Sequence, residues 1–416
     1  MTPRTGVSRE GPPTLPDMDQ RTPVVVAARR TPIGTVGRSL ARSDAAGLAG
    51  PVLAALAEDL ENTAAGDGEG VPVDDVVLGN CCGPGGDVAR VAALAAGLGT
   101  EVTGVTVDRQ CGSGLEAVRQ AAALVRAGEA GLVLAGGVES ASTAPWRLAR
   151  PDSPGGLPRP YERAPFTPAG FPDPEMGEAA EALAAAHGID RDRQDRYAAR
   201  SHALAVASAD AGLFVAELVP VAGVSVDDRP RRGLSARALA RFRPAFVAGG
   251  TVTAGNSCGI NDGAGAVAIV PEELRAALGL PGLAVRATAV VGVDPAQPGI
   301  GAARAARAVC DRAGVSLDEV GVIELVEAFA AQVLACTDDL GLDPLGDDGH
   351  RVCPQGGAIA LGHPWGASGA LLLVRLFSTL VRPDPRRTRR ATGRYGLATC
   401  AVGGGQGVAV LVERVG

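Results

Sequence analysis

Val105-Thr106-Val107-Asp108-Arg109-Gln110-Cys111-Gly112-Ser113-Gly114-Leu115 is the stretch whose reading decides the fold. Its β-branched start reads as a strand, and the run from Ser113 opens an apolar helix. Gly131-Leu132-Val133-Leu134-Ala135-Gly136-Gly137 then reads as a second strand closed by a glycine turn. The same order recurs late in the chain. Gly366-Ala367-Ser368-Gly369-Ala370 opens a helix, and Gly396-Leu397-Ala398-Thr399-Cys400-Ala401-Val402-Gly403-Gly404 supplies the strand and turn. Each half therefore reads as a helix opened by serine and glycine, then a strand, then a glycine turn, which fits a duplicated unit.

Further short apolar runs flank these units. Val24–Ala27 and Val76–Leu78 belong with the first; Leu283–Val285, Val322–Glu324 and Val408–Val412 belong with the second. Alanine-rich helical stretches lie between several of them, so the fold class is α/β with buried sheets. Between the sets the pattern changes. Nine prolines fall between Ser140 and Pro174, and a helix follows from Asp190 as N-cap to the stop at Gly212, with Tyr197, Leu204, Ala207 and Ala211 on one face. The expected division is a disordered tail over 1–21, an N-terminal half over 22–139 completed by about 262–280, an inserted loop domain over 140–261, and a C-terminal half over 281–416.

Composition narrows the function. The 416 residues are 46% apolar and 20% charged, with a net charge of −7. An acidic balance argues against a nucleic-acid scaffold. The chain contains no lysine, which excludes Schiff-base chemistry and a phosphate-loop lysine. No apolar run reaches the roughly 20 residues of a membrane span, and no signal-peptide core precedes Val24. Eight cysteines in such a length are too sparse for a disulfide scaffold. A cytoplasmic protein without membrane contact is expected. Adjacent Cys81 and Cys82 read as small buried thiols.

Cys111 is the nucleophile candidate. At a helix start it meets unpaired N–H groups and the positive helix end, which would lower its pKa; the other reading is a buried structural cysteine. His363, in Gly362-His363-Pro364 just before the second helix, could act as a base or an oxyanion donor, or could be structural. Its place in the second repeat matches that of Cys111 in the first. Val402-Gly403-Gly404-Gly405-Gln406-Gly407 precedes a strand rather than a helix, so it is no dinucleotide fingerprint; backbone N–H groups beside a substrate carbonyl suit it better.

Taken together the motifs resemble the thiolase family. Arg30-Thr31-Pro32-Ile33-Gly34 resembles its N-terminal signature and Cys111-Gly112-Ser113-Gly114 its acylated-cysteine motif. Gly250–Ser257 and Asn261-Asp262-Gly263-Ala264 resemble its central motif, and Glu327-Ala328-Phe329 and Gly362-His363-Pro364 its catalytic loops. The resemblance implies two βαβαβαββ halves in α-β-α-β-α layers, an insertion covering the site, and a homodimer or homotetramer. It implies acyl thioesters as substrates, of coenzyme A or a carrier protein, with no bound cofactor or metal. It further implies that Cys111 takes the acyl group, that His363 assists, and that Ser257, Cys258, Phe329, Gly403 and Gly404 line the substrate.

The sequence departs from that pattern. Val326 stands where the family holds a water with Asn or His, and Ala401 where a second cysteine moves the α-proton. Cys400 is a possible substitute base, but neighbouring strand residues face opposite sides, so it should point away. Asp108 replaces a common Asn, and Cys258 a common serine near coenzyme A. General acid–base help contributes about 10²–10⁴-fold. Its loss would weaken Claisen and thiolysis chemistry while sparing acyl loading. The leading expectation is thus an acyltransferase that forms an acyl-enzyme on Cys111 and passes it to an acceptor. The alternatives are a conventional acetyl-CoA acetyltransferase or 3-ketoacyl-CoA thiolase, and a non-catalytic scaffold subunit.

Overall fold

The computed structural model describes residues 18–62, 71–382 and 393–416. Valine-rich segments buried on both faces form the strands. The first half runs β1 (Pro23–Arg30), the short β2 (Gly34–Thr35), α1 (Ala45–Glu61), β3 (Asp75–Gly79), α2 (Val88–Ala95), β4 (Thr103–Val107), α3 (Ser113–Ala127) and β5 (Val133–Ser140). The insertion follows with β6 (Arg147–Ala149), β7 (Arg159–Tyr161), α4 (Met176–Ala186), α5 (Arg191–Asp210) and α6 (Ala236–Leu239). Then β8 (Asn261–Pro271) completes the first half, and α7 (Glu272–Ala277) leads into the second. That half holds β9 (Gly282–Gly292), α8 (Gly301–Ala313), β10 (Val320–Leu325), α9 (Ala330–Leu340), α10 (Ala358–Leu361), α11 (Trp365–Leu380), β11 (Tyr395–Val402) and β12 (Gln406–Val415).

The strand order is β10-β11-β12-β9-β1-β8-β5-β3-β4. Within the sheet, among the described residues, the halves join where Val24 and Val25 pair with Ala284 and Leu283. Within each half the same pairings recur: β3 is parallel to β5 as β10 is to β11, and β5 is antiparallel to β8 as β11 is to β12. A single bridge from Ile323 to Val352 stands where β4 pairs with β3 in the first half. The repeat read from the sequence is therefore a repeat of topology. Three apolar clusters separate the layers. One lies under α1 and α2, one under α8 and α9, and the third surrounds α3 and α11 between the two sheet halves.

Glycine sets how closely α3 and α11 approach. A Cβ on Gly114 would stand 2.5 Å from the Ala370 nitrogen, and one on Gly369 2.5 Å from the Leu115 nitrogen. The contact is reciprocal, backbone against backbone, and leaves no room for a methyl group. The insertion enters at a hairpin. Ser140 pairs with Asp262 across it, whereas Val402 pairs with Gln406 across a turn of only Gly403–Gly405.

Two expectations change. Helix α5 has the foreseen Asp190 cap, whose carboxylate accepts from the Arg193 N–H at 2.8 Å, and stops before Gly212 at φ 69°. Its buried face, however, is Gln194, Tyr197, Ser201, Ala205 and Ser208, while Ala207 is exposed. The polar side chains turn inward because Tyr197 Oη and Ser201 Oγ donate to the buried Glu327 carboxylate at 2.8 and 2.6 Å. Of the tail expected over 1–21, residues 1–17 lie outside the described residues. Gln20 is tied down, its carbonyl accepting from the Glu273 N–H at 3.0 Å. Among the described residues no helix is long and apolar enough to cross a membrane.

Overpacking a close backbone contact is destabilising by about 1–3 kcal/mol. Gly369→Ala is therefore expected to lower the calorimetric unfolding midpoint. Gly292→Ala, which meets open space, serves as control. Equal midpoints for the two variants would remove the helix contact from the account.

Candidate active site

The loop from β4 to α3 is built around its own polar groups. Asp108 Oδ1 accepts from the Gln110 N–H at 2.8 Å, and Ser113 Oγ donates to the Gln110 carbonyl at 2.6 Å. These bonds hold Gln110 at φ 46°, a conformation uncommon outside glycine, and present Cys111 at the start of α3. The matching loop before α11 presents His363, whose N–H donates to Asn261 Oδ1 at 2.9 Å. Buried Glu139, near the end of β5, ties the loop after β3 to the first turn of α11. Its carboxylate accepts from the Cys82 N–H at 3.0 Å and from the Gly366 N–H at 3.0 Å.

These loops bring Cys111 Sγ to 3.3 Å from His363 Nε2. On the far side of the ring, Nδ1 lies 2.6 Å from Ser368 Oγ, which donates to the Pro364 carbonyl at 3.0 Å. The hydroxyl has one proton, spent on that carbonyl, so it accepts from Nδ1–H. Nε2 is then the unprotonated nitrogen, with its lone pair toward the thiol. Burial pushes His363 down to about 4 and Cys111 up to about 12. The sequence suggested a thiol acidified by its helix end; removal from water outweighs that effect, and the resting pair is neutral. Such a pair passes the proton only as the sulfur attacks an electrophile.

The pair opens on a cleft of about 120 Å³ that also holds Cys258, Phe329, Ala401 and Gly403. Of the substrate-lining residues expected, Cys258, Phe329 and Gly403 are there. Ser257 is not: its hydroxyl donates to the Thr253 carbonyl at 2.7 Å inside the protein. Nor is Gly404, which lies against Phe166 at φ 82°. The strand alternation holds at Cys400 and Ala401. Ala401 faces the cleft, while the buried Cys400 thiol lies 3.2 Å from the Cys111 carbonyl and 3.1 Å from that of Ala401. Val326 packs in the central cluster and borders a separate cavity of about 30 Å³ that it shares with Ser368. Cys81 and Cys82, expected to be buried, are half-buried.

Sequence reasoning passed over Ser368, Glu139 and Trp365, which lines the cleft, and quoted Asn261 in a motif without giving it a role. Ser368 and Trp365 follow His363 by five and two residues, and first-turn helix positions beside a histidine were the available signal. Cys258 is better placed than the sequence suggested. Its N–H donates to the Ala328 carbonyl at 2.9 Å, and its segment is bridged to Phe329 and to His363. Among the described residues no cluster of three or more His, Cys, Asp or Glu could hold a metal ion.

Comparison with known proteins gives a consistent result. Residues 23–273 match the family model described as thiolase, N-terminal domain, and residues 280–414 that described as thiolase, C-terminal domain. A putative acetyl-CoA C-acetyltransferase of Staphylococcus haemolyticus is 41% identical over 400 residues, covering 94% of this chain and 98% of that protein. A beta-ketoadipyl-CoA thiolase of Acinetobacter baylyi is 39% identical over 413 residues, covering 94% and 99%. The crystal structure of the Bacillus anthracis acetyl-CoA acetyltransferase superposes with a TM-score of 0.81 at 36% identity, covering 95% of this chain and 99% of that one.

A histidine that ionises near 4 stays an unprotonated base through mild acid. Loading of Cys111 by an acyl thioester, followed by intact mass, should keep its rate from pH 7.5 to pH 5 and fall only as pH approaches about 4. A fall centred at the ordinary histidine value of about 6.5 would mean that the imidazole is not held neutral by burial.

Proposed function

The chain belongs to the thiolase family and is an acyltransferase, which sets the scaffold alternative aside; from that premise we propose that it forms an acyl-enzyme on Cys111 from an acyl-CoA and hands the acyl group to an acceptor. The observation that carries the reading is the 3.3 Å separation of Cys111 Sγ and His363 Nε2. As the sulfur attacks the thioester carbonyl, Nε2 takes the thiol proton. The tetrahedral centre collapses, the carbon–sulfur bond to coenzyme A breaks, and the departing thiolate recovers the proton from His363. One thioester is exchanged for another, so the step is close to isoenergetic and needs no other reagent.

We further propose that carbon–carbon bond making and breaking is weak. That chemistry needs a base at the α-carbon of the second thioester. Ala401, which faces the cleft, offers none, and the Cys400 thiol is turned to backbone carbonyls. A conventional thiolase is the second reading. Two observations favour it: the names carried by the relatives, and Cys258, a thiol in the cleft beside Arg229, whose positive charge opposes the effect of burial. The two readings divide on acetoacetyl-CoA. In the first, thiolysis is slow or absent while acetyl loading of Cys111 is retained and is abolished in Cys111→Ser. Ala401→Cys, alone or with Val326→Asn, raises thiolysis. Turnover by the unmodified protein near the roughly 10 s⁻¹ typical of enzymes, lost in Cys258→Ala, would hand the case to the conventional reading.

A homodimer is proposed through the free edge of β4. One side of that strand pairs with β3, and the other pairs with no strand among the described residues. Val105 on it, with Val91 and Leu94 on α2, is exposed and apolar. Val105→Lys should shift the protein toward monomer in light scattering. An unchanged mass would move the interface elsewhere.

A further inference from the structure

Trp365, which lines the cleft, also lines a second cavity of about 620 Å³. Its walls include Cys82, Trp146, Tyr161, Ile260 and Arg147. One of these adjoins the reacting pair directly, Ile260 being bridged to His363, and Cys82 lies in the loop held by Glu139. Arg147 is close as well. Its Nη2 donates to the Cys81 carbonyl at 3.1 Å, and Cys81 Sγ lies 3.1 Å from the carbonyl of Gln110, the residue before Cys111.

Arg147 differs from Arg159 and Arg163 in the cover. Arg163 pairs with Asp173 and Glu175, and Arg159 with Asp152. Among the described residues Arg147 forms a hydrogen bond to a carbonyl and has no carboxylate within ion-pairing distance. Glu162 borders the same cavity but is exposed at its rim. A half-buried guanidinium with free donors is matched by a carboxylate, which it can take up two-pronged. The aromatic and aliphatic walls around it suit methylene groups.

We propose that this cavity receives the tail of the acyl group carried on Cys111, and that the tail ends in a carboxylate paired with Arg147. The ligand class is the coenzyme A half-thioester of a short dicarboxylic acid. The proposal rests on the acyl-enzyme reading above. It leaves the transfer step as written, since the distal carboxylate takes no part in making or breaking the thioester.

The test compares succinyl-CoA with butyryl-CoA, which share a four-carbon acyl skeleton and differ in the terminal group. Initial loading rates of Cys111 are read by intact mass, with acetyl-CoA as a parallel sample. In the unmodified protein succinyl should load at least about tenfold faster than butyryl, the scale of one charge-assisted hydrogen bond. Arg147→Met should bring that ratio to about one, and Arg147→Lys should keep part of it. The ratio is internal to each sample, so a loss of folded protein cancels. Equal succinyl and butyryl rates in the unmodified protein overturn the proposal while acetyl loading keeps the acyl-enzyme reading standing. A ratio kept in Arg147→Met, whatever the fall of both rates, also overturns it. If no acyl-CoA loads at all, both readings fall together.

Discussion

Everything at this site depends on how closely two central helices approach. Gly114 of α3 lies against the backbone of Ala370, and Gly369 of α11 against that of Leu115. Because each helix brings a glycine to the other's backbone, the two N-termini converge on one point. Residues just ahead of those N-termini then meet whether or not they share an element, and 252 positions of sequence separation reduce to 3.3 Å. Glu139 ties the first turn of α11 to the loop after β3, accepting the Gly366 and Cys82 N–H groups. A carboxylate removed from water is tolerated where several donors surround it, and here those donors belong to the segments whose positions it fixes.

Enclosure has an electrical consequence. Taking Cys111 and His363 out of water favours the uncharged form of each, so the nucleophile rests as a thiol and the base as an imidazole. Ser368 fixes which ring nitrogen is bare. The arrangement keeps a strong nucleophile latent until an electrophile enters. The strand that ends at Val402 directs an alanine toward the cleft and a cysteine away from it. One position of register separates a second thiol in the site from a second thiol in the core.

Much of this was legible in the sequence because it depends on local periodicity. The eight strand segments read from apolar runs all lie in or overlap strands of the sheet, and the alternation at Cys400 and Ala401 followed from the two-residue period. Cys111 and His363 stood out because the glycine and serine residues around them repeat. Other features depend on what distant segments bring. The polar inner face of α5 is set by Glu327, 126 residues away from Ser201. The acidity of Cys111 is set by burial that no helix-terminus rule anticipates. Val326 was identified as a departure from the family motif, yet its surroundings, a core wall and a separate cavity, follow from packing alone.

The insertion hairpin bears on how such an enzyme changes over time. Ser140 and Asp262, the ends of the cover, are hydrogen-bonded neighbours in the sheet, as Val402 and Gln406 are in the other half. The closure entropy of a long loop grows only slowly with its length, and here both ends are already held by the ladder. The cover can therefore change length between its anchors without shifting those strand ends, provided that Tyr197 and Ser201 keep their bonds to Glu327. Change is thus admitted between the anchors of the cover and refused by the frame that holds the thiol against the imidazole.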